Sequence, residues 1–133
     1  MSARGFRAAV PRAPAVRSLL YRYAGLRLFE AAQLLACNAM HPAAPRLARW
    51  LLMTSDRIGA DQFRLTQACL ASMLAVGRPY LNAAAQGLQR NGLIRYQRGQ
   101  ITLLDRSGLE AAACEDYRVL RSEYARLLSG RTG

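Results

Sequence analysis

Apolar positions recur at helical spacing from about Ala15 to Met40, alternate briefly after Gly92, and return to helical spacing from Leu109. That order predicts a mainly α chain with one small β element. Pro11 and Pro14 punctuate an irregular basic leader over residues 1–14, after which a long helix runs from about Ala15 to Met40. Within it Tyr21, Leu28 and Leu35 fall seven apart, with Ala24, Ala31 and Asn38 in the intervening places. Such a heptad row is the seam of a helix that pairs with another helix, although a helix packed on its own domain can carry the same spacing. His41-Pro42 and Pro45 break it and open a connecting helix in which Leu47, Trp50, Leu51, Thr54 and Ile58 share a face, closed by Gly59.

From Phe63 the elements become short. Phe63-Arg64-Leu65 is extended, and Thr66 then caps a helix reaching about Leu74, followed by the tight turn Ala75-Val76-Gly77. A second helix runs from about Arg78 to Asn91, with Gly92 suited to a left-handed C-terminal cap. Two helices joined by about three residues form a helix-turn-helix. Leu70, Met73 and Leu74 on the first helix face Leu81, Ala84, Ala85 and Leu88 on the second as a shared core. A β-hairpin follows, with Ile94 and Tyr96 opposite Ile101 and Leu103 across Arg98-Gly99. Ser107-Gly108-Leu109-Glu110 reads as a capping box for one last helix with Leu109, Ala113, Tyr117, Leu120, Tyr124 and Leu127 on one face. The chain thus divides into a leader (1–14), a dimerisation helix and connecting helix (15–58), a winged helix-turn-helix (59–105) and a carboxy-terminal helix (106–128).

Charge narrows the partner class. The 133 residues carry a formal charge of +11, and all 19 cations are arginine. A surface so basic attracts phosphate polyanions or anionic lipid. Six arginines and no acid precede Glu30, as in a mitochondrial presequence, but the remainder keeps 13 arginines against 8 acids. No apolar run is long enough to span a bilayer, so the expectation is a cytoplasmic protein without a membrane partner. Cys37, Cys69 and Cys114 are widely spaced, without a CxxC pair, and His41 is the single histidine. The expectation is therefore three half-buried thiols, no metal, no cofactor, and a boundary role for His41. There is no serine elbow, and a lysine-dependent phosphate loop is excluded, so an enzyme is not expected.

The outward face of the second helix offers Arg78, Tyr80, Asn82, Gln86 and Gln89, none of them acidic. In a helix-turn-helix that face enters the DNA major groove. Arg78, Asn82 and Gln86 are the candidate base readers, while Thr66, Gln67, Tyr80, Arg95 and Arg98 are the candidate backbone contacts. Tyr21, Leu28 and Leu35 form the candidate dimer seam.

The segments RLARWLLMTSDRIG and FRLTQACLASMLAVGRPYLNAAAQGLQRNGLIRYQRGQITLLDRSGLEAAAC resemble the carboxy-terminal part of Crp/Fnr-type transcription regulators, over roughly residues 15–128. The resemblance implies a winged helix after a long dimerisation helix, a homodimer on double-stranded DNA in a bacterial cytoplasm, and RNA polymerase as a further partner. It also places Thr66 and Gln67 on phosphates, and Arg78 in the major groove. Pro79 stands where well-known members carry glutamate, Ala83 where they carry a second arginine, and Ala75 where relatives place glycine. Their recognition sequence is therefore not carried over, and backbone strain is expected at Ala75. Nothing in the chain encodes the β-roll sensor of the family, so it reads as a sensorless member for which cyclic nucleotides are expected to be neither ligands nor effectors. The alternative function is a winged-helix association module that pairs with a full-length relative and leaves DNA unread.

Overall fold

The computed structural model describes residues 2–129. Its elements are α1 (Ala3–Ala9), a 3-10 turn (Val10–Arg12), α2 (Pro14–Met40), α3 (Ala43–Ile58), β1 (Gln62–Arg64), α4 (Gln67–Leu74), α5 (Arg78–Arg90), β2 (Ile94–Gln97), β3 (Gln100–Leu103), α6 (Arg106–Ala112) and α7 (Asp116–Leu128). The leader, expected to be irregular, is helical: Ser2 caps α1 by accepting from the Gly5 amide, and Pro11 sits in the 3-10 turn, where its missing N–H costs no bond. Nothing on α1 is buried.

α2 rises about 1.5 Å per residue and is the longest element, with 27 residues. It buries Leu26, Glu30 and Cys37, and its inner side packs on α7. Helical geometry puts Tyr21, Leu28 and Leu35 on the opposite side, where each is more than 70% exposed. Pro42 ends the helix and α3 begins, stopping at Gly59 with φ +66°, a left-handed cap. Leu47 and Leu51 are fully buried, whereas Trp50 and Thr54 are half-buried and Ile58 is exposed. The buried face of α3 thus takes in Leu47, Leu51, Leu52 and Ser55, with Trp50 and Thr54 at its edge and Ile58 outside it.

Against α3 pack α4, α5, α6 and α7, and the core is one cluster that includes Leu47, Leu51, Leu52, Leu70, Leu74, Leu81, Ile101, Leu109 and Tyr117. Met73, expected in this core, is exposed, because the eight-residue α4 buries only the Leu70–Leu74 side. The buried Arg46 guanidinium donates to the carbonyl of Leu74, so α3 itself satisfies the C-terminal end of α4.

The hairpin pairs Ile94 with Leu103 and Tyr96 with Ile101, as its alternation predicts. β1 adds a third antiparallel strand on β3, with Phe63 opposite Ile101, so the order is β1-β3-β2. Two expectations at the carboxy-terminal end are corrected. Asp105, not Ser107, caps α6 by accepting from the Gly108 amide at 2.9 Å. The single last helix is two, broken at Ala113, whose extended backbone (ψ 153°) turns the chain before α7.

Candidate nucleic-acid interface

The turn between α4 and α5 sets the angle at which α5 is presented. Ala75 adopts φ +49°, the left-handed conformation that glycine tolerates best, and the Val76 amide reaches back to the Ala71 carbonyl at 3.1 Å. The expected strain at Ala75 is therefore present. Its compensation is that Val76 is half-buried against the core while Gly77 is exposed.

α5 then follows without side-chain capping at Gly77, so first-turn amides remain unpaired at the end where the helix dipole is positive. Leu81, Ala84, Ala85 and Leu88 are buried as their spacing predicts. Arg78, Tyr80, Asn82, Ala83 and Gln86 are exposed on the other side, Tyr80 by 71%. Gln89 is corrected: its side-chain carbonyl accepts from the Tyr96 amide at 3.0 Å, so it fastens β2 to α5 rather than facing outward.

The start of α4 and the hairpin are drawn together by two contacts. The Leu65 amide donates to the Gly99 carbonyl at 2.8 Å, and the Tyr96 hydroxyl donates to the Leu65 carbonyl at 3.1 Å. Burial raises the Tyr96 pKa, which keeps that hydroxyl a donor. Thr66 caps α4 by accepting from the Cys69 amide at 3.2 Å. Thr66, Gln67, Tyr96, Arg98 and Gly99 consequently line one shallow cleft. Arg98 and Gly99 both have positive φ, +49° and +75°, which is the two-residue turn that matches the twist of a hairpin. Arg95 and Arg98 are exposed.

Charge is segregated along the fold. Between Asp61 and Asp105 there is no acid, and Arg64, Arg78, Arg90, Arg95 and Arg98 all fall in that interval. None of these five takes part in an ion pair among the described residues. Arg106 pairs with Asp56, Asp61 and Glu110, and Glu30 receives Arg27, Arg57 and the Tyr124 hydroxyl. The stretch between Asp61 and Asp105 thus keeps five guanidinium groups outside any ion pair among the described residues, Arg78 at the uncapped start of α5 and Arg90 at its far end. The gap in acids is visible in the sequence and carries more information than the α5 face alone.

Elsewhere the fold assembles a group that sequence spacing does not foresee. Cys37, His41, Cys114 and Asp116 bring one ligand atom each to within 4.8 Å of one another. Cys37 and Cys114 are buried and only Cys69 is half-exposed, which corrects the expectation of three half-buried thiols. His41 Nε2 lies 3.6 Å from Asp116 and 3.7 Å from Glu115, so it is more than a helix boundary.

A family profile described as the Crp-like helix-turn-helix domain matches residues 45–112. Among solved structures, the chain is similar to a Crp/Fnr-family protein from Eubacterium rectale, with TM-score 0.61 and 22% identity over 83% of this chain and 51% of that one. It is similar to a CRP/FNR-family transcriptional regulator from Thermus thermophilus, with TM-score 0.59 and 29% identity over 65% of this chain and 47% of that one. FixK2 from Bradyrhizobium japonicum shares the fold at TM-score 0.74 and 19% identity, over 86% of this chain and 60% of that one. The chain spans about half the length of the first two. No curated protein matches it. Among the described residues, no helix is long and apolar enough to cross a membrane.

Proposed function

The chain belongs to the Crp-like helix-turn-helix domain family, and from that premise we propose that it is a DNA-binding transcription regulator that acts by binding rather than catalysis. The observation that carries this reading is the stretch between Asp61 and Asp105, which holds no acid and five arginines outside every ion pair among the described residues, together with the uncapped N-terminus of α5. A helix of this diameter fits the major groove of double-stranded DNA, and its unpaired amides and positive dipole favour phosphate at its start.

In this arrangement Arg78, Asn82 and Gln86 face base edges. Thr66, Gln67 and Tyr80 hold phosphates at the helix starts, and Arg95 and Arg98 lie along the sugar-phosphate backbone from the hairpin. Pro79 lacks an N–H and fixes the first turn, so Arg78 is presented from a stiff element. The alanine at position 83 leaves a short, apolar place midway along the reading face, suited to close approach or a thymine methyl.

The function also includes self-association through the exposed Tyr21, Leu28 and Leu35 row, which would give two α5 helices related by a two-fold axis. Titrating the purified chain with labelled duplex DNA across a salt series tests the proposal. The observed binding constant should fall linearly with salt on logarithmic axes, with a slope that counts the phosphates neutralised. Absence of binding at low salt would overturn it.

A further inference from the structure

We propose that Cys37, His41, Cys114 and Asp116 form a tetrahedral zinc site that fastens the end of α2 to the bend between α6 and α7. The four ligand atoms lie within 4.8 Å of one another, and the two sulfurs are 3.5 Å apart. Zinc held at about 2.3 Å from each of two thiolates spaces them a little under 4 Å, so the pair stands close to its liganded separation without backbone movement. His41 Nε2 to Asp116 Oδ2, at 3.6 Å, is likewise near the edge of a tetrahedron built on bonds of about 2.0–2.2 Å.

The backbone is arranged for it. Cys37 and His41 lie one turn apart at the end of α2, where the His41 amide donates to the Cys37 carbonyl at 3.0 Å. Cys114 and Asp116 come from the bend that replaces a continuous last helix, and the Cys114 amide is held on the Pro45 carbonyl at 3.4 Å. Without that bend the two pairs could not face one another. Cys37, Cys114 and Asp116 are buried, while His41 is half-exposed and leaves one edge for entry of the ion.

Charge supplies a second, independent argument. Arg49 is 1% exposed. Its Nη1 donates to Met53 Sδ, and its Nε has no hydrogen-bond partner. None of the ion pairs among the described residues supplies it with a carboxylate. A buried guanidinium without a counter-ion is costly, and Arg49 lies near enough to Cys114 to act on it electrostatically. Two thiolates, one carboxylate, a neutral imidazole and Zn2+ carry a net charge of −1, which offsets Arg49. Four protein ligands leave no open position, so the site is structural, and two soft sulfur donors favour zinc over magnesium or calcium.

The test uses the untagged chain, reduced, stripped with chelator and titrated anaerobically with Co2+. One equivalent should produce thiolate-to-cobalt charge transfer and the intense visible bands of a tetrahedral ion, both displaced by Zn2+. Cys37→Ser and Cys114→Ser should each weaken the charge transfer, whereas Cys69→Ser should leave it unchanged. Because a cysteine variant could fail to fold, the wild-type melting temperature is measured with and without Zn2+, and it should rise with the ion. Lack of charge transfer in the reduced wild-type chain would overturn the proposal. So would signals unaltered in both buried-cysteine variants, or a melting temperature indifferent to zinc.

Discussion

The Tyr124 hydroxyl donates to Glu30 Oε2 at 2.7 Å, tying α7 to the middle of α2 across 94 residues of sequence. Arg57 of α3 meets the other carboxylate oxygen, so three helices converge on one buried acid. Burial alone would raise the Glu30 pKa, but the hydrogen bonds from Tyr124 and Arg57, with the charges of Arg57 and Arg27, overcome it and hold the group below its ordinary value of 4.5.

A carboxylate with a depressed folded-state pKa contributes stability that is present above its unfolded value and lost as pH falls through the folded one. Melting temperature should therefore decline below about pH 4.5 in the wild type, and less steeply in Glu30→Gln. At neutral pH, Glu30→Ala should cost about 1.5–3 kcal/mol, the scale of hydrogen bonds to a charged group. Denaturant melts at several pH values give both quantities, and a Glu30→Gln profile parallel to the wild type would contradict the assignment.

Ala75 supplies a prediction of opposite sign. Its φ of +49° disfavours any side chain with a Cβ, and the left-handed region costs an L-residue about 1–2 kcal/mol. Ala75→Gly should recover part of this, after the loss to greater freedom in the unfolded chain, for a net gain of about 0.5–1 kcal/mol. Equilibrium unfolding in urea measures it. A destabilised glycine variant would mean that the Ala75 methyl makes a contact worth more than the strain.

What was legible in the sequence follows from how local each signal is. The Leu81, Ala84, Ala85 and Leu88 row, the Thr66 cap and the Arg98-Gly99 turn depend on residues a few places apart, and each is where its spacing puts it. The bend at Ala113 has no proline or glycine to announce it, and a continuous apolar face from Leu109 to Leu127 conceals it. Its cause is tertiary: Cys114 is pulled onto Pro45 and beside Cys37, contacts spanning 69 and 77 residues. Gln89 departs from its expected outward place for the same reason, since its partner amide on Tyr96 belongs to the next element. The Cys37, His41, Cys114 and Asp116 group was invisible because its halves, Cys-x-x-x-His and Cys-x-Asp, are unremarkable apart.

The α2 face gives a third prediction. Leu28 and Leu35 are 74% and 73% exposed, on the side opposite the Leu26, Glu30 and Cys37 row that packs within the chain. Exposed leucines at heptad spacing favour pairing with a second copy. Leu28→Asp combined with Leu35→Asp should halve the mass seen by light scattering and leave the helical circular dichroism signal intact. A double variant that stays dimeric moves the seam elsewhere, with the exposed Val119 and Leu128 of α7 as the next surface to test.

The last prediction separates base reading from phosphate holding within one interface. Arg78 opens α5 beside the uncapped Gly77 amide end, the part of the helix that approaches the groove floor, and its planar fork can make two bonds to guanine O6 and N7. Arg98 stands at the hairpin tip, held beside Thr66 and Gln67 by the Leu65 to Gly99 bond, where a long charged side chain meets the sugar-phosphate rail instead. Arg78→Ala should therefore cost about 1–3 kcal/mol on the preferred site and relax the choice at one base pair. Arg98→Ala should weaken every sequence alike and reduce the salt slope by about one. If α2 pairs two copies, the preferred sites should come as two half-sites about one helical turn apart. Binding of both variants to a randomised half-site library distinguishes the roles. An Arg78→Ala variant that keeps the full sequence preference would show that another residue on the α5 face, Asn82 or Gln86, does the reading, while a salt slope unchanged in Arg98→Ala would remove the hairpin from the contact surface.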